Sequence, residues 1–469
     1  MDFSNQTIFD PDLIKKYDQP GPRYTSYPTA VVFDSHFTET DYRHHACTSN
    51  TTNPEQPLSL YFHIPFCDTL CFYCACNKIA TKKREKADIY LDYLAKEMAL
   101  HASLYDSNRV VRQMHFGGGT PTFLTRAQFD RMMDLIRQHF PLTDDEARDY
   151  SIEIDPRSVK PDDILILRDH GLNRFSLGVQ DINPAVQKAV NRIQPLSLTQ
   201  EIIDACRSAQ ARSVSVDLIY GLPLQTLDSF RATIEAVIAM SPDRLSVFNY
   251  AHLPHLFSPQ KRIRAEDLPS AAEKLAILRM SIERLTEAGY VYIGMDHFAK
   301  PGDELTQAQR NGTLQRNFQG YTTHAELDLV AMGASAISAV NSSFSQNAKS
   351  LDQYYALLDR NKIPVYRGYT LTADDRLRKD IIQQLACHFA LDFSTIEEKH
   401  DVNFRDYFAS ELEHLETMQD DGLLTLDDNA LRVTASGRLL IRHVCMVFDA
   451  YLGQTPRNSA GAPRFSKVI

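Results

Sequence analysis

The most constraining feature of this 469-residue chain is a short cysteine-rich stretch between His63 and Cys76. Four of the eight cysteines fall within ten residues, and three of them, Cys67, Cys71 and Cys74, have the spacing C-x3-C-x2-C. Three thiolates on one tight loop can bind three irons of a [4Fe–4S] cube. The fourth iron then has no cysteine ligand and is open to a small molecule. The spacing therefore predicts a cluster that takes part in chemistry, since a closed structural cluster would use four cysteines.

Cysteines at this density could also form disulfide bonds or bind zinc. A disulfide framework is disfavoured because the chain is long and its remaining cysteines are scattered singly, at Cys47, Cys206, Cys387 and Cys445. A zinc site usually needs two paired sets of ligands, and no second Cys or His pair stands at such a spacing. Zinc remains the alternative to the cluster.

The overall charge bears on the partners of the chain. The formal net charge is −10 and the pI is about 5.9, whereas a nucleic-acid-binding surface is expected to be basic. No apolar run reaches the length needed to span a bilayer. We therefore expect no nucleic-acid partner and no membrane partner, and we expect a monomer. An oxygen-sensitive cluster and unpaired cysteines both favour the reducing cytoplasm.

The chain from residue 58 onward repeats a strand, a loop and a helix. Alternating apolar residues predict six such strands, at 58–64, 112–116, 150–154, 174–179, 214–220 and 244–250. Repeated units of this kind form parallel strands with right-handed crossovers. The predicted fold is therefore α/β, a partial (β/α)6-type barrel.

Polar and glycine-rich residues follow the ends of five of these strands. They are the cysteine loop, the run Gly117-Gly118-Gly119, Glu153 with Asp155, Gln180 with Asp181, and Gly221. In barrels of parallel strands the chemistry gathers at the carboxyl ends of the strands. These positions are therefore expected to converge on one rim.

The segments outside the repeated units have a different character. Residues 1–56 are polar and rich in loops, which predicts an N-terminal arm before a barrel domain at 57–345. Residues 346–469 are predicted to be mostly helical, with a hairpin at 422–433, a pattern that resembles a winged-helix module. Because no basic run supports DNA binding, we expect this C-terminal domain to cover the barrel.

An open iron corner suits S-adenosylmethionine (SAM), whose amino acid head can chelate it. Gly117-Gly118-Gly119 has no side chains, so its backbone can approach that head and present N–H groups to the carboxylate. Glu153 and Asp217, at strand ends, could accept hydrogen bonds from the ribose hydroxyls. Cleavage of SAM needs one electron at low potential and a dry pocket, which predicts a low-potential electron donor protein as a partner.

The motifs together resemble one family of the radical SAM superfamily, the oxygen-independent coproporphyrinogen III oxidases (coproporphyrinogen dehydrogenases). The matching stretches are Gly21–Thr29, Tyr61–Cys67, Cys74–Lys78, His115–Thr122, Gly178–Asp181, Asp217–Pro223, Leu245–Pro254, Gly294–Ala299 and Arg316–Thr323. The resemblance runs from about residue 13 to the C-terminus. The chain departs from the family at Tyr73, Ala75 and Gln315, where Phe, Gly and His are frequent.

The resemblance implies a function and a set of site residues. Two propionates of coproporphyrinogen III would be decarboxylated to vinyl groups, giving protoporphyrinogen IX in haem biosynthesis, with a [4Fe–4S] cluster on Cys67, Cys71 and Cys74 and two SAM molecules side by side. The residues implied at the first SAM site are Tyr61, Gly118, Glu153 and Ile337, and those at the second are Tyr73, Gly119, Thr120, Gln180, Arg192, Asp217 and Ala251. Tyr61, His63 and Glu153 are the candidates for a catalytic role.

The related haem-binding chaperones share the cluster loop, and they are the competing hypothesis. They typically lack the C-x-C ending that Cys74 and Cys76 form here, and they lack the Arg-Tyr-Thr-Ser-Tyr-Pro arm that begins at Arg23. Both features are present, which favours the oxidase. Since the substrate carries four carboxylates, Arg23 is a hypothetical partner for one of them.

Overall fold

The computed structural model describes residues 7–324 and 327–452, which divide into two compact units. The barrel unit comprises residues 33–274 and 327–370 of the described chain, and the helical unit comprises residues 7–32, 275–324 and 371–452. None of the helices in the described chain combines the length and the apolar character that a membrane crossing requires.

The strands of the two units are numbered together in chain order. They are β1 Leu58–Ile64, β2 Phe66–Cys67, β3 Ile79–Ala80, β4 Val111–Gly118, β5 Asp149–Ile154, β6 Arg174–Gln180, β7 Ser213–Tyr220, β8 Arg244–Asn249, β9 Val291–Gly294, β10 His297–Ala299, β11 Gln315–Asn317, β12 Gly320–Thr322, β13 Asp328–Met332, β14 Ile337–Val340, β15 Ser343–Asn347, β16 Val365–Thr370, β17 Ala390–Asp392, β18 Leu424–Leu426 and β19 Ala430–Val433.

The helices are numbered in the same way. They are α1 Pro11–Tyr17, α2 Glu39–Thr52, α3 Glu85–Ala102, α4 Arg126–His139, α5 Pro161–Asp169, α6 Pro184–Ala189, α7 Leu196–Ser208, α8 Leu227–Met240, α9 Ala271–Glu287, α10 Glu304–Arg310, α11 Leu351–Leu358, α12 Ala373–His388, α13 Phe393–His400, α14 Phe404–Tyr407, α15 Ala409–Asp420 and α16 Ile441–Val447.

The sheet of the barrel unit confirms the predicted partial barrel. Its strands follow the order β16-β15-β14-β13-β1-β4-β5-β6-β7-β8. The six predicted strands are the consecutive parallel strands β1, β4, β5, β6, β7 and β8. Helices such as α3, α4, α5 and α8 connect them, so the ends of all six strands that lead into the connecting loops lie on the same edge of the sheet.

The sheet extends beyond these six strands, which the sequence did not predict. β13 pairs in parallel with β1, and β14, β15 and β16 continue in antiparallel order. The sequence of β13, Asp-Leu-Val-Ala-Met, is a short apolar run that periodicity cannot distinguish from a buried helix. The pairing of β16 with β15 brings residues 346–370 into the barrel unit, so the division differs from the predicted boundary between residues 345 and 346.

The helical unit contains the helices and the hairpin that were predicted for the C-terminal segment. β18 and β19 form the hairpin and, with β17, a three-stranded antiparallel sheet. Residues 7–32 of the predicted arm belong to this unit, whereas residues 33–56 belong to the barrel unit. The Tyr24 hydroxyl donates to Asp449 Oδ2 at 2.9 Å, and the N–H of Ala450 donates to the Tyr27 hydroxyl at 3.1 Å. Two tyrosines of the proline-rich arm are therefore fixed to the residues that follow α16.

A buried acidic residue stabilises the barrel unit where α3 meets the antiparallel strands. Glu97 is fully buried on α3 and accepts hydrogen bonds from the Gly333 N–H at 2.8 Å and from Asn347 Nδ2 at 2.7 Å. The Tyr354 hydroxyl is a third donor to the same carboxylate. One side chain thus joins α3 to the turn after β13, to the end of β15 and to α11.

Replacement of this residue should lower the stability of the barrel unit. We expect Glu97→Ala to reduce the free energy of unfolding by about 3 kcal/mol, because the substitution leaves three buried donors without an acceptor. Urea unfolding followed by circular dichroism measures the loss. Glu85→Ala, at an exposed position of the same helix, is the matched control. Equal stability of the two variants would contradict this account.

Candidate active site at the carboxyl ends of the barrel strands

The cysteine loop leaves the end of β1 and is closed at its base by a second strand pair. β2 and β3 pair in parallel. The Ile79 N–H donates to the Pro65 carbonyl at 2.7 Å, and the Thr81 N–H donates to the Cys67 carbonyl at 2.9 Å. The residues between these contacts, which include all three predicted iron ligands, therefore form a closed loop at the rim of the barrel.

The middle of the loop is fixed to the segment that follows β6. The Phe72 N–H donates to the Val190 carbonyl at 3.0 Å, and Asn191 Nδ2 donates to the Leu70 carbonyl at 2.9 Å. Because both contacts use backbone groups of the loop, they set the path of the chain around Cys71.

The first two cysteines have donors directed at their sulfur atoms. Thr120 Oγ1 lies 3.4 Å from Cys67 Sγ, while Arg157 Nη2 and Arg192 Nη1 lie 3.7 Å and 3.8 Å from Cys71 Sγ. Burial raises the pKa of Cys67 to about 11. Binding of iron, which needs the thiolate, must therefore release a proton from Cys67.

The third cysteine is influenced by the extra cysteine of the C-x-C ending. A hydrogen bond from the Cys76 thiol, helped by Lys78, lowers the pKa of Cys74 to about 6 against the effect of burial. Lys78 Nζ also donates to the Cys74 carbonyl at 3.0 Å. Cys76 therefore stabilises the thiolate of its neighbour in this structure.

This donor set fits an iron–sulfur cluster with one open iron. Three thiols stand on one closed loop, and cationic groups of Arg157 and Arg192 reach one of them. The buried Arg192 Nε has no hydrogen-bond partner within the described residues, so a donor beside the loop is available to a ligand. No group of three or more His, Cys, Asp or Glu side chains in the described chain is placed to hold a single metal ion. A cube differs from such a site because each thiolate binds its own iron.

The glycine run at the end of β4 lies directly against the start of the cysteine loop. A Cβ at Gly119 would stand 2.8 Å from the backbone of Pro65 and Phe66, a contact that real Cβ atoms do not make. The Gly119 N–H donates to the Ile64 carbonyl at 2.8 Å, and the Thr120 N–H donates to the Phe66 carbonyl at 2.9 Å. The glycines are therefore required for the approach of two backbone segments.

The predicted use of these N–H groups differs from what the structure shows. They were expected to face the carboxylate of SAM. The Gly119 N–H is bonded to a backbone carbonyl, as described above, and the Gly118 N–H donates to Glu153 Oε2 at 3.2 Å. Gly118 has a φ of +114°, and a Cβ there would strike the His63 ring. The difference arises because the sequence shows that the backbone of a glycine run is accessible, but it does not show which acceptors lie next to the N–H groups.

The three candidate catalytic residues lie together beside this run. The Tyr61 hydroxyl lies 3.1 Å from His63 Nδ1, and His63 Nε2 lies 2.9 Å from the Asn77 carbonyl. Since a carbonyl can only accept, His63 Nε2 carries the proton and Nδ1 accepts from Tyr61. Burial lowers the pKa of His63, although the Asn77 carbonyl and Glu153 act in the opposite direction. Neutral His63 is thus held in one tautomer.

The next strands contribute an ionic cluster. Asp155 Oδ2 accepts from Arg157 Nη2 at 2.6 Å and from Arg192 Nη1 at 3.0 Å, and Arg192 Nη2 donates to the Gly178 carbonyl at 2.6 Å. Gln180 ends β6 with a φ of +68°, and its side-chain amide lies where a Cβ of Gly178 would project. Arg192 and Gln180, both implied at the second SAM site, therefore meet at the end of β6.

Asp217 lies on β7, beside this group. Ser176 Oγ donates to Asp217 Oδ2 at 3.3 Å. Burial raises the pKa of Asp217 to about 6, and the charge of Glu153 adds to the shift, while hydrogen bonds from Ser246 and Ser176 oppose it. The two carboxylates predicted to accept hydrogen bonds from the ribose hydroxyls are therefore close enough to affect each other.

The remaining predicted residues have different surroundings. Tyr73 is close enough to Arg192 and Cys71 to interact with both electrostatically, and it packs against an apolar cluster of Val186, Val190, Leu222, Tyr250 and Ile263. Ala251 follows the end of β8, whereas Ile337 begins the antiparallel β14 and not the loop after a parallel strand. Asp181, expected on the rim, is buried and accepts from Gln225 Nε2 at 2.6 Å, so its role is to hold the connection after β7.

Two residues that contact the site were not among those predicted from the sequence. Arg157 reaches Cys71, and the His115 ring stacks on Tyr61 with centroids 5.8 Å apart. His115 was within a motif quoted for its glycines, and Arg157 stands three residues after the end of β5. The signal that could have identified them was position, since Arg157 follows the parallel strand β5 and His115 lies in the second half of β4, near its carboxyl end.

Comparison with known proteins agrees with this geometry. Residues 61–237 match the family model of the radical SAM superfamily, and residues 371–440 match the model of the HemN C-terminal domain. The chain is 51% identical to the oxygen-independent coproporphyrinogen III oxidase of Pseudomonas aeruginosa over 461 residues, covering 98% of this chain and 99% of the relative. The chain belongs to the family of oxygen-independent coproporphyrinogen III oxidases.

A second relative and a solved structure support the assignment. The Escherichia coli K12 oxidase is 48% identical over 464 residues, covering 99% of both chains. A solved structure of the Escherichia coli enzyme, described as a radical SAM enzyme, has a TM-score of 0.90 and 48% identity, covering 95% of this chain and 100% of that chain. Membership of the radical SAM superfamily implies a [4Fe–4S] cluster and SAM, and the donor set above fits both.

Substitution of Gly119 tests the contact between the glycine run and the loop. We expect Gly119→Ala to displace the cysteine loop, because the new Cβ meets backbone atoms that cannot rotate away. The reconstituted variant should bind less than half of the iron and sulfide that the parent protein binds. Gly302→Ala is the control, since nothing lies within 4 Å of a Cβ at that position. A full complement of iron in the Gly119 variant would show that the contact is unimportant.

The shifted pKa of Asp217 predicts a pH dependence of stability. The folded-state pKa of about 6 lies above the ordinary value of 3.8, so the folded chain binds the proton more tightly. Relative to Asp217→Asn, the parent protein should lose about 1–3 kcal/mol of stability as the pH rises from 4 to 7. Urea unfolding of the SAM-free protein at several pH values measures this difference.

The control for this experiment is Asp162→Asn, at an exposed position of α5. Its stability relative to the parent protein should not change over the same pH range. A constant difference between the parent protein and Asp217→Asn would contradict the proposed titration.

Proposed function

We propose that this chain catalyses the oxidative decarboxylation of two propionate side chains of coproporphyrinogen III to vinyl groups, giving protoporphyrinogen IX. The observation that carries the proposal is full-length similarity to oxidases of this name, together with the closed C-x3-C-x2-C loop at the strand ends. A hydrogen atom would leave the β-carbon of a propionate, carbon dioxide would follow, and an acceptor would take the remaining electron.

Cys67, Cys71 and Cys74 would hold the cluster. When bound, the cluster and SAM would supply the electron and the 5′-deoxyadenosyl radical for the hydrogen abstraction. Arg157 and Arg192 place positive charge beside the Cys71 sulfur. This charge would stabilise the thiolate.

Tyr61, His63 and Glu153 would help to orient the molecules bound at the rim of the barrel. Tyr61 and His63 form a fixed pair in which His63 is neutral, with its Nδ1 occupied by the Tyr61 hydroxyl. Tyr61 is therefore oriented as a donor toward His63, and His63 is not available as a general acid. The two residues would therefore act by positioning a bound molecule at the rim of the barrel. Glu153, which accepts from the Gly118 N–H, lies beside them.

Two SAM molecules are part of the proposal. The residues implied at the two sites fall into two groups. Tyr61, Gly118 and Glu153 contact one another or His63 at the ends of β1, β4 and β5. Gln180 and Arg192 meet at the end of β6. Measurement of bound SAM per reconstituted chain by equilibrium dialysis should give a value near two, and a value of one would reject the second site.

The remaining parts of the proposal concern partners and location. A low-potential protein would donate the electron, and the enzyme would act as a monomer in the cytoplasm. The charge of −10 argues against a nucleic-acid partner.

Loss of one iron ligand tests the function directly. The reconstituted, reduced protein with SAM and coproporphyrinogen III should form both 5′-deoxyadenosine and protoporphyrinogen IX under anaerobic conditions. We expect Cys71→Ser to abolish both products, because one iron loses its thiolate. Cys47→Ser, at an exposed cysteine far from the loop in sequence, should retain both.

The products separate the alternatives. Deoxyadenosine without a vinyl product would retain the radical enzyme and reject the substrate. Absence of both products in a parent protein that contains the cluster, together with tight stoichiometric haem binding, would favour the haem chaperone.

A further inference from the structure

Two arginines of the helical unit form ion pairs with one carboxylate, and a third lies near enough for its charge to act on it. Asp296 lies in the turn between β9 and β10. Its Oδ2 is 3.3 Å from Arg23 Nη1 and 3.6 Å from Arg442 Nη2. Burial alone would raise the pKa of Asp296, but the charges of Arg23 and Arg442, followed by His297 and Arg316, lower it below the usual value. Arg316 is therefore close enough to act on the same carboxylate.

Two buried donor atoms of Arg316 have no acceptor within the described residues. It lies in the middle of β11 and is 8% exposed. Its Nε and Nη1 atoms are buried and have no hydrogen-bond partner within the described residues. A buried donor that lacks an acceptor costs about 1–3 kcal/mol, and such groups are rare in folded proteins. The position therefore has the chemistry of a site whose acceptor arrives from outside the chain.

The guanidinium of Arg316 is held in place by its surroundings. It lies over the Tyr321 ring, 4.6 Å from the centroid. The Tyr321 hydroxyl donates to the Ala386 carbonyl at 3.0 Å, and the His297 ring meets the Tyr321 ring edge-on with centroids 5.2 Å apart. Gln383 Nε2 donates to the Arg316 carbonyl at 3.0 Å. Both the backbone and the ring under the guanidinium are fixed, so the site is preorganised.

The arrangement favours a carboxylate as the ligand. A planar guanidinium matches a carboxylate, and such charge-assisted hydrogen bonds are among the strongest in proteins. Arg23 is 34% exposed in its side chain, whereas Arg316 and Arg442 are buried, so Arg23 stands on the solvent side of the cluster. A carboxylate that approaches this cluster from the solvent would therefore meet Arg23 before Arg316.

We propose that Arg316, with Arg23 beside it, binds a propionate carboxylate of the tetrapyrrole substrate. This inference rests on the proposed function, which supplies a substrate with four carboxylates. Arg316 is the principal donor, Arg23 is the outer donor, and Asp296 with Arg442 holds the cluster together before the substrate arrives. Arg316 is thus a substrate-binding residue that acts at a carboxylate rather than at the cluster or SAM.

The test measures binding and turnover separately. Coproporphyrin III has the same four propionates as the substrate but is already oxidised, so its binding to the anaerobic holoenzyme can be followed by porphyrin fluorescence. We expect Arg316→Gln to raise the dissociation constant ten- to hundredfold. Arg316→Lys keeps the charge and should give a smaller increase. With coproporphyrinogen III, KM should rise while kcat and the affinity for SAM remain close to the parent values.

A second buried arginine of the same unit provides the matched control. Arg438 is also 8% exposed, and its guanidinium lies 4.9 Å from the centroid of the Phe389 ring. Arg438→Gln should lower the melting temperature without weakening porphyrin binding. If Arg316→Gln behaves in the same way, Arg316 is only structural and the inference is wrong. If Arg316→Gln does not fold, an unchanged dissociation constant in Arg316→Lys would overturn it.

Failure of the proposed function gives a different result. A parent holoenzyme that neither binds coproporphyrin III nor forms the vinyl product would refute the substrate, and the present inference with it. A parent enzyme that does both, with an Arg316→Gln variant that binds equally well, would refute only the role of Arg316.

Discussion

The structure of the site depends on the close approach of two backbone segments, the end of β4 and the start of the cysteine loop. The Gly119 N–H reaches the Ile64 carbonyl, and the space for a Cβ at Gly119 is filled by Pro65 and Phe66. Because β1 and β4 are parallel neighbours, their ends arrive side by side, and only glycine allows the chain to turn there at this distance. The position of the three thiols follows from this contact and from the closure of the loop by β2 and β3.

The charged residues around the cysteine loop are held in place by one carboxylate. Asp155 holds Arg157 and Arg192, and both arginines reach the Cys71 sulfur. One carboxylate therefore positions the two arginines that favour a thiolate at Cys71. At Cys74 the thiolate is favoured by Cys76 and Lys78. In the helical unit Asp296 plays a comparable part for Arg23 and Arg442. In both places an acidic residue orients arginines, and a nearby buried arginine donor, Arg192 Nε or Arg316 Nε, has no hydrogen-bond partner within the described residues.

Much of this could be predicted from the sequence, because both the cysteine spacing and the strand alternation are local patterns. The six parallel strands and the order of the residues at their ends follow from them. The β13–β16 extension could not be predicted, since β13 is a short apolar run without a period. The acceptors of the Gly118 and Gly119 N–H groups could not be predicted either, because they belong to strands that are distant in the sequence. The residues around Arg316 come from segments hundreds of positions apart, and no local pattern joins Arg23 to Arg442.

Cys67, Cys71 and Cys74 would hold a four-iron cluster whose fourth iron is open to SAM. Mössbauer spectroscopy of the holoenzyme, reconstituted anaerobically with 57Fe, distinguishes the individual irons. We expect four irons per chain and a change at one iron of the four when SAM is added, with the other three unaffected. A cluster whose irons do not respond to SAM, or a chain that binds a single metal ion in the loop, would contradict this expectation.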